Sequence, residues 1–291
     1  MQPRIAYVSP AGPRGECGQP IPPSTMQLSV SGALRTALVA VPPDYDRGLV
    51  PVVIALHGYD QEASDFASYA GLYSAGSAAG VMVVVPQGIG DPPGWNVPDS
   101  PEVGPSDVRF LRALIDRLVR TTCADPDRVV LAGLSDGSDM AVTAACALHG
   151  RVAGLLLVAA STGPSPSCRP EDVVQVHGTA DPIDAYKGRA ADTRRGFGSV
   201  KAAGAERAFT LWSALDGCRS HVVHRRADLR TFVAQHCDHG SVELIAVQHG
   251  GHTWPGAAPR PALGPTTRSL NTRSLLSLIL GAVAATSRRG V

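Results

Sequence analysis

The chain has 291 residues, 44% of them hydrophobic and 18% charged, with a formal net charge of +1. That length can bury one large core and points to a single domain, and the scattered basic residues leave no footprint for nucleic acid or an anionic membrane. No apolar run reaches the roughly 20 residues that span a bilayer, and Met1 to Pro13 lacks the charged and apolar regions of a secretory signal, so any export signal is expected to have been removed or never included.

Residues 1–25, rich in Pro and Gly, read as an irregular N-terminal arm, which leaves 26–291 for the folded domain. Met26 to Val41 alternates enough for two antiparallel strands. Val50 to Leu56 (VPVVIAL) is a continuous β-branched run, the pattern of a parallel strand buried on both faces. Glu62 to Ala79 reads as helix, Val81 to Val85 as a second buried strand, and Ser106 to Thr121 as a helix with Val108, Leu111, Leu114, Ile115 and Leu118 at helical spacing. Strands follow at Arg128 to Ala132, Val152 to Ala160 and Asp172 to His177, with a small-residue helix over Met140 to Leu148. Helix is expected again over Arg194 to Ala203 and Leu270 to Ala285, a last strand over Val242 to Val247, and a surface connection from Pro255 to Pro265. Strand and helix alternate throughout, so the expected architecture is α/β: a mostly parallel, doubly wound sheet flanked by helices.

Gly133-Leu134-Ser135-Asp136-Gly137 is a G-x-S-x-G set between a strand and a helix. A turn that tight strains the middle residue, needs glycines on either side, and leaves the hydroxyl exposed above the sheet, so Ser135 reads as a nucleophile. The plain alternative is a Gly-Ser turn that caps the helix. In this arrangement the acid and the histidine follow the serine in chain order. His177-Gly178-Thr179-Ala180-Asp181 puts Asp181 in the loop at a strand's carboxyl end, with Asp184 as the competing acid. Gln248-His249-Gly250-Gly251-His252-Thr253-Trp254 follows the last strand and offers His252 as base, although His236, His239 and His249 lie close by. Main-chain amides of Asp136 and Tyr59, the latter in the His57-Gly58-Tyr59 loop, are the candidate oxyanion donors. Trp95, Trp254 and His57 are candidates to line the substrate pocket, whereas Trp212 follows Phe209 and Leu211 into the core. The six cysteines include no C-x-x-C pair, so neither zinc nor redox chemistry is indicated. Buried thiols and disulfides in an oxidising compartment both remain open readings.

LHGYDQEASDF, DPDRVVLAGLSDG, VHGTADPI and GGHTWPG, in that order, resemble the secreted esterases that include polyhydroxybutyrate depolymerases and feruloyl esterases. The resemblance runs from about Cys17 to Trp254. It implies an α/β-hydrolase fold without cofactor or metal, and it lays nucleophile, acid and base on Ser135, Asp181 and His252. It also implies secretion and disulfides, with Cys218 bonded to Cys237, Cys123 to Cys146, and Cys17 to Cys168. Gly137-Ser138-Asp139 departs from the Gly-Gly or Gly-Ala that many members have after the nucleophile's neighbour, placing a carboxylate one turn into the helix, and Asp136 adds a second acidic side chain beside the serine, which favours a neutral ester as substrate.

The resulting expectation is a serine esterase acting on feruloyl or acetyl esters of plant cell-wall polysaccharide, with a polyhydroxyalkanoate as the alternative substrate. A silent binding module on the same scaffold is a reading of a different class, and peptidase activity a further one. No nucleic acid, membrane or obligate protein partner is expected; the partner is a small-molecule or polymer-borne ester.

Overall fold

The computed structural model describes residues 24–45, 48–97, 106–188 and 204–289. Ten strands form one sheet: β1 (Ser24–Val30), β2 (Ala33–Ala40), β3 (Val50–Leu56), β4 (Met82–Pro86), β5 (Ala124–Leu134), β6 (Gly154–Val158), β7 (Asp172–Gly178), β8 (Ser220–Arg226), β9 (Leu229–Gln235) and β10 (Val242–Val247). Their spatial order is β1-β2-β4-β3-β5-β6-β7-β10-β9-β8. The central run from β4 to β10 is parallel, and an antiparallel hairpin closes each edge. Helices α1 (Ala63–Tyr69), α2 (Leu72–Ala79) and α6 (Thr272–Arg289) cover one face, while α3 (Asp107–Thr121), α4 (Asp136–Leu148) and α5 (Ala205–Leu215) cover the other. The chain is thus a single α/β-hydrolase domain.

Strand periodicity explains both cores. Along β3, Val52, Ile54 and Leu56 enter the layer beneath α3 and α4, whereas Val53 and Ala55 enter the layer beneath α1 and α6. The other central strands divide in the same way, so continuous apolar runs are what a sheet covered on both faces requires. In α3 the side chains of Phe110, Leu111, Leu114, Ile115 and Leu118 are all buried, and Ser106 caps the helix by accepting the Arg109 N–H at 3.4 Å.

Several expectations change. β1 begins at Ser24, inside the expected arm. The helix expected over Glu62 to Ala79 is two helices, because Gly71 takes a left-handed φ of 60° and turns the chain between them. The helix expected over Arg194 to Ala203 lies outside the described residues. The β8–β9 hairpin had no counterpart in the sequence reading. β8 is exposed along nearly its whole length, so it lacks the alternation that betrays a strand.

The cysteine pairing is also corrected. Cys218 bonds Cys237 as expected, but Cys146 bonds Cys168, which replaces both Cys123–Cys146 and Cys17–Cys168. The reason lies in the course of the chain. After β6 the chain returns to the foot of the sheet to start β7, and Cys168 on that return meets Cys146 in the last turn of α4. Cys123 sits instead under β3, where its carbonyl accepts the Val50 N–H at 2.8 Å and its N–H donates to the Tyr45 hydroxyl at 2.9 Å. It too is disulfide-bonded.

Candidate active site

Strand register sets up the site. Leu56 is level with Gly133, Leu134 with Val158, Val158 with Val176, and Val176 with Ile245. The loops after β3, β5, β6, β7 and β10 therefore leave one common rim at the carboxyl ends of the strands, where open α/β sheets bind ligands.

Ser135 stands at that rim with φ 54° and ψ −122°, a strained conformation for a residue with a side chain. Its N–H donates to Val158 O at 2.9 Å and its carbonyl accepts from Ser138 N at 2.7 Å and Asp139 N at 3.2 Å. The flanking glycines are dictated by contact: a Cβ on Gly133 would lie 2.3 Å from the Gly137 backbone, and one on Gly137 would lie 2.2 Å from Leu56 O. Neither backbone can yield, so the turn admits no side chain there. The neighbouring Ser138 is wholly buried, its hydroxyl donating to Val158 O and accepting from Val158 N, both at 3.0 Å. Among the described residues the Ser135 hydroxyl forms no hydrogen bond.

The loops after β7 and β10 form a pair. Thr179 N–H donates to Val247 O and Ala180 N–H to Gly250 O, each at 2.9 Å, while His249 N–H reaches Thr179 Oγ1 at 2.8 Å. These bonds bring Asp181 against His252, with Nδ1 2.8 Å from Oδ2. Asp181 Oδ1 accepts the N–H groups of Ile183 and Asp184, both at 2.8 Å, so the carboxylate has a fixed orientation. Nδ1 faces a carboxylate oxygen and therefore carries the proton, which leaves Nε2 as the basic nitrogen. Asp184, the competing acid, accepts instead from Ser161 Oγ at 3.0 Å to each oxygen, and burial raises its pKa. His177, buried beneath this loop, has Nε2 2.8 Å from Asp184 O and 3.6 Å from Asp181 Oδ2.

The side chains expected to line a pocket are buried supports. His57, Trp95 and Trp254, expected as substrate contacts, are each 0% exposed. His57 Nε2 accepts the Gly88 N–H at 2.8 Å, so Nδ1 bears the proton and donates to Gly58 O at 2.8 Å. Burial lowers the pKa of this imidazole and keeps it neutral. The Trp95 indole N–H donates to His57 O at 2.8 Å, and the Trp95 main-chain N–H to Asp136 Oδ2 at 3.0 Å, tying the β3 loop to the serine turn. Asp136 is therefore a bonded brace. Trp254 donates from Nε1 to Thr272 Oγ1 at 2.9 Å, Thr272 in turn donates to Ala70 O, and Phe66 packs edge-on at 5.4 Å. This network anchors the histidine loop to α1 and α6. Trp212 is buried in the core, as its neighbours suggested. Tyr59 is partly exposed, and its ring lies over Gly94, where a Cβ would come within 3.0 Å of Cδ2.

Buried carboxyls give the protein a pH-dependent stability. Burial, reinforced by neighbouring carboxylates, raises Glu171 to about 8 and Asp216 to about 7 at the foot of the sheet. Beside the serine turn, burial raises Asp139 to about 7 against the opposing hydrogen bond from Thr162 Oγ1, with Asp184 and Asp136 adding to the rise. In the unfolded chain such groups lose their protons near pH 4. Their contribution is therefore fully present below that value and is lost as pH rises through the folded values of about 7 to 8. The melting temperature, measured by calorimetry at constant ionic strength, should be several degrees higher at pH 5 than at pH 8. An equal or lower value at pH 5 would show that these groups are ionised in the fold.

No family model matches the chain. The chain is 32% identical over 255 residues to NocK of Nocardia uniformis subsp. tsuyamanensis, a protein named for an inferred esterase activity, spanning 76% of this chain and 71% of that one. It is 27% identical over 217 residues to feruloyl esterase B of Piromyces equi, covering 69% of this chain and 39% of the relative. Among solved structures, an acetyl xylan esterase from Aspergillus awamori superposes with a TM-score of 0.59 at 13% identity, over 79% of this chain and 94% of that one, a likeness of fold. The relatives are named as esterases and none as a polyhydroxybutyrate depolymerase, so that part of the sequence resemblance gains no support. By its likeness to NocK and its fold, the chain belongs to the α/β-hydrolase esterases, enzymes of the serine-hydrolase class.

Proposed function

We propose that the chain hydrolyses neutral carboxylic esters, with Ser135 as nucleophile, His252 as base and Asp181 as the group that orients the base. The observation that carries this reading is the hydrogen bond from His252 Nδ1 to Asp181 Oδ2 at the rim from which the strained Ser135 also projects. Ser135 Oγ attacks the carbonyl carbon as His252 Nε2 takes its proton. The carbonyl oxygen becomes negative and is held by the main-chain amides of Tyr59 and Asp136, and the alcohol then leaves with the proton from His252. Water, deprotonated by the same imidazole, releases the acid and restores the serine. Apo hydroxyl and imidazole commonly close to hydrogen-bonding distance only when substrate is bound.

For the substrate we favour feruloyl or acetyl esters on plant cell-wall polysaccharide. The relatives support this, being named as a feruloyl esterase and an acetylxylan esterase. Raised carboxyl pKa values at Asp139 and Asp184 keep the surroundings of the serine less anionic than their composition suggests, which suits a neutral ester. Two disulfides between described residues, of a kind that persists in oxidising compartments, support an extracellular location. No helix among the described residues is long and apolar enough to cross a membrane. Release of ferulate from methyl ferulate and of acetate from acetylated xylan, measured beside clearing of a polyhydroxybutyrate suspension, tests the choice. Ferulate or acetate release without clearing is the expected result; clearing with neither release would transfer the assignment to polyesters.

A further inference from the structure

His177 is a buried imidazole that the mechanism above leaves without a role. It lies near the end of β7, where Gln175 and His177 alternate with Val174 and Val176 and so point to the other face of the sheet. On the neighbouring strand the residue level with Gln175 is Leu157, so polar groups stand here where the core is otherwise apolar. Burying them costs free energy unless each finds a partner. Gln175 Nε2 donates to Ala160 O at 2.9 Å, and His177, 1% exposed, approaches the same oxygen from Nδ1 at 3.3 Å. Its other nitrogen, Nε2, lies 2.8 Å from Asp184 O. Carbonyl oxygens only accept, so the shorter contact places a proton on Nε2.

That nitrogen is also beside the candidate catalytic acid. Nε2 is 3.6 Å from Asp181 Oδ2, the oxygen that His252 Nδ1 reaches at 2.8 Å, and the side chains of His177 and Asp181 are both 0% exposed. In such a buried setting an N–H dipole acts on a carboxylate with little screening. Asp184 adds a second link, because its N–H holds Asp181 Oδ1 at 2.8 Å while its carbonyl is held by His177. We propose that His177 is a positioning residue for the ester hydrolysis: its Nε2–H fixes the Asp184 carbonyl, lies beside Asp181 Oδ2, and thereby sets the carboxylate against His252. The proposal rests on the serine-esterase reading and extends the triad by one side chain beneath the acid. His177 acts through Asp181 alone. No covalent bond is made or broken at it, and no proton leaves it.

His177→Met fills the site with an unbranched chain and removes the donor, whereas His177→Gln keeps a carboxamide N–H that can reach Asp184 O. With p-nitrophenyl acetate the Met variant should lose about 10²-fold in kcat, the scale of a small misplacement of a catalytic group, with KM within about twofold, and the Gln variant should recover to within about fivefold of wild type. A Met variant within about twofold of wild type overturns the proposal, and equal losses in both variants trace the effect to packing and overturn it too. Should either variant fail to fold, a second measurement decides. In protein labelled with ¹⁵N-histidine, the His177 Nε2–H proton, identified by Overhauser contacts with the Tyr186 ring 5.8 Å away between centroids, should move upfield when Asp181→Asn takes away the charge beside it. An unmoved resonance overturns the proposal whatever the kinetics show. Parental turnover in Asp181→Asn sinks the triad reading itself, whereas a crippled Asp181→Asn beside an unmoved His177 resonance sinks only the positioning role, which separates the two failures.

Discussion

Ser135→Ala should lower kcat for p-nitrophenyl acetate by about 10⁶-fold, the scale on which loss of a serine nucleophile disables a triad, while the melting curve stays within about one degree of the parent. The two halves of that expectation have different origins. The loss of rate follows from removing the atom that forms the acyl-enzyme. The unchanged stability follows from the surroundings: the Ser135 hydroxyl has no hydrogen bond among the described residues, and the turn is held by main-chain bonds to Val158, Ser138 and Asp139 that alanine retains. The φ of 54° is as strained for alanine as for serine, so nothing is gained or lost in the backbone. Covalent labelling by a fluorophosphonate should disappear in the same variant. Parental turnover in purified Ser135→Ala would remove Ser135 from the chemistry.

Asp181→Asn should cost about 10⁴-fold in kcat with little change in fold, because it reverses the tautomer of His252. The structure fixes which way the new amide would face. Two N–H groups, from Ile183 and Asp184, already point at Oδ1, so the asparagine oxygen must occupy that position and its NH₂ must take the place of Oδ2. An NH₂ opposite His252 Nδ1 can only donate, which forces Nδ1 to be the acceptor and moves the ring proton to Nε2. A protonated Nε2 cannot receive the serine proton. Steady-state kinetics with p-nitrophenyl acetate, read beside a thermal melt, checks both parts; a drop smaller than tenfold in a well-folded variant would mean that Asp181 does not orient the base.

Much of this was legible in the sequence because the central strands are buried on both faces. β3 and β10 run over Val50–Leu56 and Val242–Val247, as their apolar letters indicated, and the turn at Ser135 is announced by glycines that the packing demands. Chain order and position at a strand's carboxyl end pointed to His252 and to Asp181, with Asp184 as the competing acid, and it is Asp181 that is hydrogen-bonded to His252. What stayed hidden depends on tertiary contact. Trp95, Trp254 and His57 neighbour the functional loops in sequence, yet their rings turn inward because loops at the rim need a scaffold beneath them. The Cys146–Cys168 bond depends on the path of the chain after β6, which no spacing encodes.

The Trp254–Thr272–Ala70 relay has a consequence for how the protein comes to be active. Thr272 opens the helix that ends the described chain, so the indole holding the histidine loop stays unanchored until that helix has been made and has docked. A nascent chain still lacking it already has its central strands and its serine turn, but not the footing of its imidazole. Competence therefore waits on that helix, and substitutions that undock it act on the reaction centre rather than on a distant surface.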